Sequence, residues 1–507
     1  MEMALDLPEI LLLIGMYLDH RELTQCIRVC AAWHASFVHF IWSTVEVIDA
    51  SGEPYPAINA IIKHRTLIKD LTMWTDYSTI ESLTQTYPRL ERLSIISDAE
   101  SGARYVASGA LLSDLLDLNP TIMTLEMNDI EPSDFVWDMS SIDTLPCLKQ
   151  LDIYDSIFPK EKTALQSLYR TCCRLHTLAF HYTPIPQSFI DICSSDIYAL
   201  KGLRKLELDV PESPNIHHQL QFIQLCIGLV SLDWTLSCDV DAVILDSMTC
   251  SLAELWPTLE RLKLRNSEIS DKNLASILAC MKRIKALDVR LTGFGDLSFQ
   301  VLRPHFGTLE ELELVQCVGV TDAMICEILQ SCPKLRELIL GRVRVRELGL
   351  LSPQSRPWKC LSLRRLQLEF VFESRASTPS SLPTTEDKGS KEEGCLMQLV
   401  YERLSHLTQL EVLNVGHDLL DGGEATLPGS SEGHLQFNLS KGLGQLCRLK
   451  RMWLVNTNET RQDMNKQDVE WMLEHWKGFK EFYGSANEDP EINRALKIMI
   501  YKRNNSI

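Results

Sequence analysis

The chain has 507 residues, and 45% of them are hydrophobic, which is ample for a continuous folded core. Acidic side chains outnumber basic ones by 68 to 50, giving a formal net charge of −18. Phosphate backbones and anionic lipid surfaces would be repelled by this charge, so we expect neither a nucleic acid nor a membrane as the primary partner. The apolar run 10–14 is too short for a signal peptide or a membrane span.

Three short amphipathic helices are predicted before residue 45. Pro8 suits the first turn of a helix, where its missing N–H is not needed, and Asp19 with Glu22 predicts a capping pair at the start of the second helix. The three apolar stripes are Ile10, Leu11, Ile14 and Leu18, then Leu23, Cys26, Ile27 and Cys30, then Trp33, Phe37, Phe40 and Ile41. Because so small a module buries little surface alone, we expect a partner or a neighbouring domain to cover its remaining apolar surface.

The 16 cysteines of the chain predict buried, reduced thiols. Cys26 and Cys30 are one helical turn apart and Cys172 and Cys173 are adjacent, spacings that suit packing better than zinc binding. We therefore expect an intracellular protein, cytoplasmic and/or nuclear, that binds no metal.

A Leu-x-x-Leu-x-Leu pattern recurs from residue 68 onward, mostly at separations of about 25 to 30 residues, which is typical of leucine-rich repeats. Each unit predicts a short strand with alternating burial, such as residues 259–264, followed by a helix. The central residues of the pattern are Leu71, Leu93, Leu125, Leu151, Leu178, Leu206, Leu232, Leu262, Leu287, Leu312, Leu338, Leu366, Leu413, Met452 and Phe482. Residues 373–394 and 416–434 lack this period and are predicted to be disordered insertions.

Residues 5–45 resemble an F-box, which is carried by Leu7-Pro8, Glu9-Ile10-Leu11, Tyr17-Leu18, Leu23, Cys26, Val29-Cys30, Trp33 and Trp42. Residues 317–335 are similar to the cysteine-containing leucine-rich repeats that occur with F-boxes. The resemblance to F-box/leucine-rich-repeat proteins implies an α/β chain with a three-helix F-box over residues 1–45. A curved solenoid would cover residues 46–484, with parallel strands on the concave face and helices on the convex face, and a capping helix would cover residues 485–507.

In that family the F-box binds the Skp adaptor of SCF (Skp–cullin–F-box) ubiquitin ligases. The resemblance therefore implies adaptor contacts through Leu7, Pro8, Ile10, Leu11, Ile14, Leu18, Leu23 and Val29. It also implies a core for the module made by Cys30, Trp33 and Trp42. The alternative is that these helices only cap the open end of the repeat array.

Strand residues beside each central leucine are expected to point to the concave face, where a protein target would bind. The candidates for this role are Trp74, Tyr154, His181, Glu207, Asp209, Asp233, Arg261, Lys263, Arg265, Glu311, Glu313 and Trp453. Their charges fall into acidic and basic bands, which would suit a target with complementary bands. Ordinary solvated charge on exposed strand positions would produce the same pattern.

No catalytic motif is found in the sequence. Gly293 and Gly295 lack the third glycine and the context of a dinucleotide site, and His217 and His218 have no metal ligand at a fixed spacing. The leading hypothesis is a non-catalytic, cofactor-free substrate-recognition subunit of an SCF ligase, which binds Skp and, through it, the cullin and RING subunits. The alternatives are a repeat scaffold or inhibitor outside any ligase, and an enzyme with an unfamiliar site.

Overall fold

The computed structural model describes residues 7–48, 56–74, 77–96, 109–128, 140–156, 158, 161–194, 199–209, 216–235, 256, 258–265, 269–348, 350, 356–372, 386–416, 433–457 and 462–504. The chain forms two compact units, Met1–Ser237 and Cys238–Ile507.

Unit 1 begins with three helices, α1 (Pro8–Gly15), α2 (His20–Cys26) and α3 (Ala31–Ser43). The predicted capping pair is confirmed, because the Glu22 N–H donates to Asp19 Oδ1 at 2.8 Å and the Asp19 N–H donates to Glu22 Oε2 at 2.9 Å. Leu11, Leu23 and Phe37 form the buried core of this helical module. One side chain from each helix thus holds the three together.

Eight parallel strands follow the helical module in unit 1, each paired with the next along the chain. They are β1 (Thr44–Ile48), β2 (Asp70–Trp74), β3 (Arg92–Ile96), β4 (Thr124–Asn128), β5 (Gln150–Tyr154), β6 (Thr177–His181), β7 (Lys205–Asp209) and β8 (Ser231–Thr235). The connections contain α4 (Ile58–His64), α5 (Tyr77–Leu83), α6 (Gly109–Asp117), α7 (Ser140–Asp143), α8 (Lys162–Cys172), α9 (Gln187–Cys193), a 3-10 helix (Ala199–Gly202) and α10 (Ile216–Leu225).

The strand register of unit 1 confirms the repeat pattern. The central leucines of β2 to β8 are paired in one continuous row, as in Leu151 with Leu178 and Leu178 with Leu206, and all are buried. The second and fourth residues of each strand form the core with helix residues such as Leu165 and Leu168. The first, third and fifth residues lie on the other side of the sheet, which we call the open face.

Unit 2 contains parallel strands β9 (Arg261–Arg265), β10 (Ala286–Asp288), β11 (Glu311–Glu313), β12 (Glu337–Arg344), β13 (Arg365–Phe372), β14 (Val412–Asn414), β16 (Leu454–Asn456) and β17 (Glu481–Tyr483). A short strand, β15 (Gly433–His434), pairs antiparallel with β13. The helices are α11 (Asp271–Cys280), α12 (Asp296–Leu302), α13 (Asp322–Ser331), α14 (Glu386–Ser405), α15 (Lys466–His475) and α16 (Pro490–Asn504), with 3-10 helices at Arg303–His305, Val345–Leu348 and Leu443–Arg448.

Three details of unit 2 differ from the sequence prediction. Val455, not Met452, pairs with Leu413, because the match centred on Met452 lies three residues before the central residue of the actual strand. Helix α14 begins at Glu386, within the predicted insertion 373–394, whose residues 373–385 lie outside the described residues. Likewise Gly433 and His434 of the predicted insertion 416–434 form a strand, while residues 417–432 lie outside the described part.

The described cysteines are free thiols, and half of those in the repeats are buried, including Cys172, Cys193 and Cys226. Three of them, Cys30, Cys147 and Cys395, are exposed, so the expectation of uniform burial was wrong for these positions. Among the helices that the structure describes, none is long and apolar enough to span a membrane.

Asp271 links two neighbouring repeats of unit 2 through its carboxylate. It accepts backbone N–H groups of Gly295, Leu297 and Ser298, each at 2.9 Å, at the start of α12. Partial burial raises the pKa of Asp271, but these hydrogen bonds outweigh burial and the pKa is lowered overall. A carboxylate stabilised in this way strengthens the folded state.

We expect Asp271→Ala to lower the free energy of unfolding by about 2 kcal/mol at neutral pH, because backbone donors at a helix start lose a charged acceptor. The pKa is depressed in the folded state, so this contribution is complete above the pKa of the unfolded chain. It is lost as the pH falls through the folded value. Denaturant unfolding of both proteins between pH 7 and pH 2.5 measures the effect. A difference that stays constant with pH would contradict the role of the ionised carboxylate.

Candidate functional site

Four of the predicted adaptor contacts lie inside the helical module. Leu11 and Leu23 belong to its buried core, and Ile14 and Leu18 pack against that core half-buried. These four side chains stabilise the module, and their contact with an adaptor stays a prediction. Their hydrophobic stripe was identified correctly, but α3 covers it.

The predicted core residues of the module are placed differently from one another. Trp33 packs against the core, with its ring edge-on to Phe37 at 5.5 Å between centroids, as predicted. Cys30 is instead exposed at the start of α3. Trp42 stacks on His64 of α4 at 4.4 Å, so it packs the last turn of α3 against the first repeat. The assignment of these last two residues to the core of the module was wrong.

An exposed apolar surface lies on α1 and the turn that follows it, on the side away from the core. The fractional exposure reaches 60% for Leu13, 70% for Met16 and 88% for Tyr17, and Leu12 is exposed beside them. We call these four residues the α1 surface. The spacing of Leu12 to Met16 and Leu13 to Tyr17 is one helical turn, so they form neighbouring pairs. Clustered exposure of large apolar side chains is typical of protein-binding sites.

The α1 surface was not among the predicted sites, although the sequence contains a signal for it. Residues 11–14 are all apolar, so a second apolar face had to exist opposite the one that packs inward. Among the other predicted adaptor contacts, Leu7, Pro8 and Val29 are exposed and Ile10 is half-buried. These four residues are still candidates for adaptor binding.

The open face of unit 1 brings several predicted target-binding residues together. Tyr154 of β5 stacks on His181 of β6, with ring centroids 4.3 Å apart and an interplanar angle of 10°. His181 in turn lies between two carboxylates of β7: Nε2 is 3.6 Å from Glu207 Oε2, and Nδ1 is 4.0 Å from Asp209 Oδ2. Asp233 is the register partner of Glu207 on β8.

Burial perturbs the titration of this face. Desolvation raises the pKa of Asp152, and the carboxylates of Glu207 and Glu126 raise it further. Desolvation and the same carboxylates raise the pKa of Tyr154 to about 12. These shifts mark a concentration of negative charge on strands β4 to β7. Trp74, at the end of β2, is exposed at the far side of the same face.

The predicted basic and acidic bands of unit 2 largely pair with each other. Arg261 binds Glu311 at 2.8 Å, and Arg265 binds Asp288 at 2.9 Å. Arg290 contacts Asp288 at 3.2 Å and the predicted residue Glu313 at 2.9 Å. The expectation of separate bands available to a target was therefore wrong for these residues, since the charges neutralise one another across the strands.

The other predicted target-binding residues of unit 2 that need separate description are Glu313, Lys263 and Trp453. Burial and the carboxylate of Asp288 raise the pKa of Glu313 to about 7, against the lowering effect of nearby arginines. Lys263 is half-buried on the open face in register with Asp288. Trp453 lies just before β16 and not beside its central residue Val455, and its role in target binding stays a prediction. Within the described residues, no group of three or more His, Cys, Asp or Glu side chains could hold a metal ion.

No family model matches the chain, and no curated protein matches it. Among solved structures, it is similar to a chain in the crystal structure of the Rad7 and Elc1 complex in yeast. The two chains are 15% identical, the alignment covers 66% of this chain and 87% of the other, and the TM-score is 0.40.

Proposed function

We propose that this chain is a non-catalytic substrate-recognition subunit of an SCF-type ubiquitin ligase in the cytoplasm or nucleus. The α1 surface, in a helical module whose sequence resembles an F-box, is the observation that carries the proposal. The helical module binds a Skp-type adaptor and, through it, the cullin and RING subunits. The open face holds the target protein.

The mechanism is one of proximity. A target bound to a protein that is itself fixed on the ligase reaches the ubiquitin-conjugating enzyme at a high effective concentration, and the transfer chemistry belongs to the other subunits. The direct contact between the helical module and β1 supports this role, since β1 begins at Thr44, immediately after α3 ends at Ser43. A short, ordered connection of this kind holds the target at a fixed distance from the adaptor.

The test is co-purification with Skp of the wild-type chain and of the Leu13→Asp/Tyr17→Asp variant. Each large apolar side chain that is buried at an interface contributes on the order of 1.5–3 kcal/mol, so the double variant should bind Skp at least about a hundredfold more weakly. The matched control is Val318→Asp/Tyr501→Asp, which changes a valine and a tyrosine that are 97% and 70% exposed in unit 2. This control should bind Skp as the wild type does.

Both variants should unfold at the denaturant concentration of the wild type, because all four side chains are exposed. A folded wild-type chain that does not bind Skp would overturn the proposal. The helical module would then be an end cap, and the chain a repeat scaffold or inhibitor that acts outside a ligase.

A further inference from the structure

Buried polar atoms that make no hydrogen bond occur on the open face of unit 1. Within the described part of this unit, three buried side-chain atoms make no hydrogen bond: Ser94 Oγ, Asp152 Oδ1 and His181 Nε2, of which His181 Nε2 lies 3.6 Å from the carboxylate of Glu207. All three belong to the first, third or fifth residues of β3, β5 and β6. Ser94 is 3% exposed, so its hydroxyl has lost water as well as a protein partner. Buried polar groups in native proteins almost always have partners, so this cluster marks a place that a ligand completes.

The same face carries negative charge in excess of its local positive charge. The third residues of β3 to β8 are register neighbours in one row, Ser94, Glu126, Asp152, Ala179, Glu207 and Asp233. Four of these six are acidic, and like charges on adjacent strands destabilise a sheet. Lys205 Nζ contacts Glu207 at 2.5 Å, but Glu126 has no cationic partner among the described residues. A bound cation would offset the remaining repulsion.

An aromatic pair lies beside this acidic row. Tyr154 and His181 are the fifth residues of β5 and β6, two positions after Asp152 and Ala179, and they stack almost parallel. A flat ring next to carboxylates suits a planar cation, because the ring face attracts positive charge and the carboxylate oxygens accept its N–H groups.

We propose that the acidic row and the Tyr154–His181 pair bind an arginine-bearing basic segment of a partner protein. The inference rests on the proposed function only in taking this partner to be the ubiquitylation target. A guanidinium is planar and has five donors in a fixed fork, whereas a lysine ammonium is a compact point charge. An arginine side chain can therefore stack on the rings and donate to the Asp152 oxygen that makes no hydrogen bond. A lysine side chain can only offset the negative charge.

The experiment measures binding of a fluorescein-labelled glycine–serine peptide that carries four arginines, by fluorescence anisotropy with the full chain at 0.15 M salt. Matched peptides carry four lysines or four glutamines. We expect saturable binding of the arginine peptide, about tenfold weaker binding of the lysine peptide, and no binding of the glutamine peptide. Equal binding of the arginine and lysine peptides would overturn the assignment of arginine.

Two variants locate the binding surface. Asp152→Asn/Glu207→Gln keeps the side-chain shapes and should weaken the arginine peptide at least about tenfold. The control Glu81→Gln/Asp114→Asn removes the same charge from exposed helix positions of unit 1 and should change the affinity less than about twofold. Tyr154→Leu should reduce the preference for arginine over lysine. Equal loss in the control would show that only the net charge of the chain attracts the peptide, and it would overturn the site.

Skp binding is measured with the same preparations, so failures of the two proposals can be told apart. A chain that binds Skp but not the arginine peptide overturns this inference and leaves the adaptor role intact. A chain that binds the arginine peptide through Asp152 and Glu207 but not Skp supports this inference and overturns the ligase role.

Discussion

Asn119→Ala should destabilise the chain by about 3–5 kcal/mol, because Asn119 makes three hydrogen bonds at a buried position where water cannot replace them. Asn119 follows α6 and is 1% exposed. Its Oδ1 accepts the Tyr87 N–H at 2.6 Å, and its Nδ2 donates to the carbonyls of Gln85 at 2.9 Å and Leu115 at 2.7 Å. One side chain therefore satisfies the backbone of two consecutive repeats.

Removal of Asn119 would leave a donor and two acceptors buried, and each unsatisfied group costs about 1–3 kcal/mol. Denaturant unfolding with a matched Asn128→Ala control measures the effect. Asn128 is half-buried at the end of β4 and makes no side-chain hydrogen bond to a residue that the structure describes, so its loss should cost less than about 0.5 kcal/mol. Similar losses from the two variants would show that the hydrogen bonds of Asn119 do not connect the repeats.

The repeat architecture was predictable because one pattern fixes both the strand and its burial. Leu151, Leu178 and Leu206 were identified as equivalent, and the structure pairs them in one row. Their equivalence placed Tyr154 and His181, each three residues later, on the same face. The stacking of these two rings follows from that register.

Contacts between repeats were less predictable, because they depend on distances across strands that no local pattern encodes. Arg261 and Glu311, which form an ion pair, are 50 residues apart in sequence, and β10 lies between their strands. The role of Asn119 was also missed, since two of its three partners, Tyr87 and Gln85, lie more than 30 residues away in sequence. The apolar stripe of α1 was predicted, but its burial within the module was not, because that burial depends on packing against α3.

The helical module also contains a close packing contact, between Gly15 and Phe40, that the sequence did not predict. Gly15 ends α1 and is buried, and a Cβ atom built there would lie 2.3 Å from Phe40 Cε2 and 2.7 Å from its Cδ2. Phe40 packs against the core formed by Leu11, Leu23 and Phe37. Its ring cannot move away from Gly15 without disturbing that core, so the absence of a side chain lets α1 and α3 approach.

Gly15→Leu is therefore expected to destabilise the helical module by about 3 kcal/mol, since overpacking a core costs about this much. Helix propensity predicts the opposite sign, because leucine favours a helix by nearly 1 kcal/mol over glycine. Hydrogen exchange of the α1 amides measures the local stability. Because little surface is buried in so small a module, we expect the exchange rates of the α1 amides to rise strongly in the variant. Skp binding should fall in parallel.

The double variant Gly15→Leu/Phe40→Ala provides the control, because the new side chain can occupy the space that the ring leaves. Its loss of stability should be smaller than the sum of the two single losses, and this coupling would identify the contact between the two positions. Additive losses of stability would instead show that Gly15→Leu acts through the backbone and not through contact with Phe40. The close approach of α1 to α3 turns Leu13, Met16 and Tyr17 outward, so recovery of Skp binding in the double variant would connect this internal contact to adaptor docking.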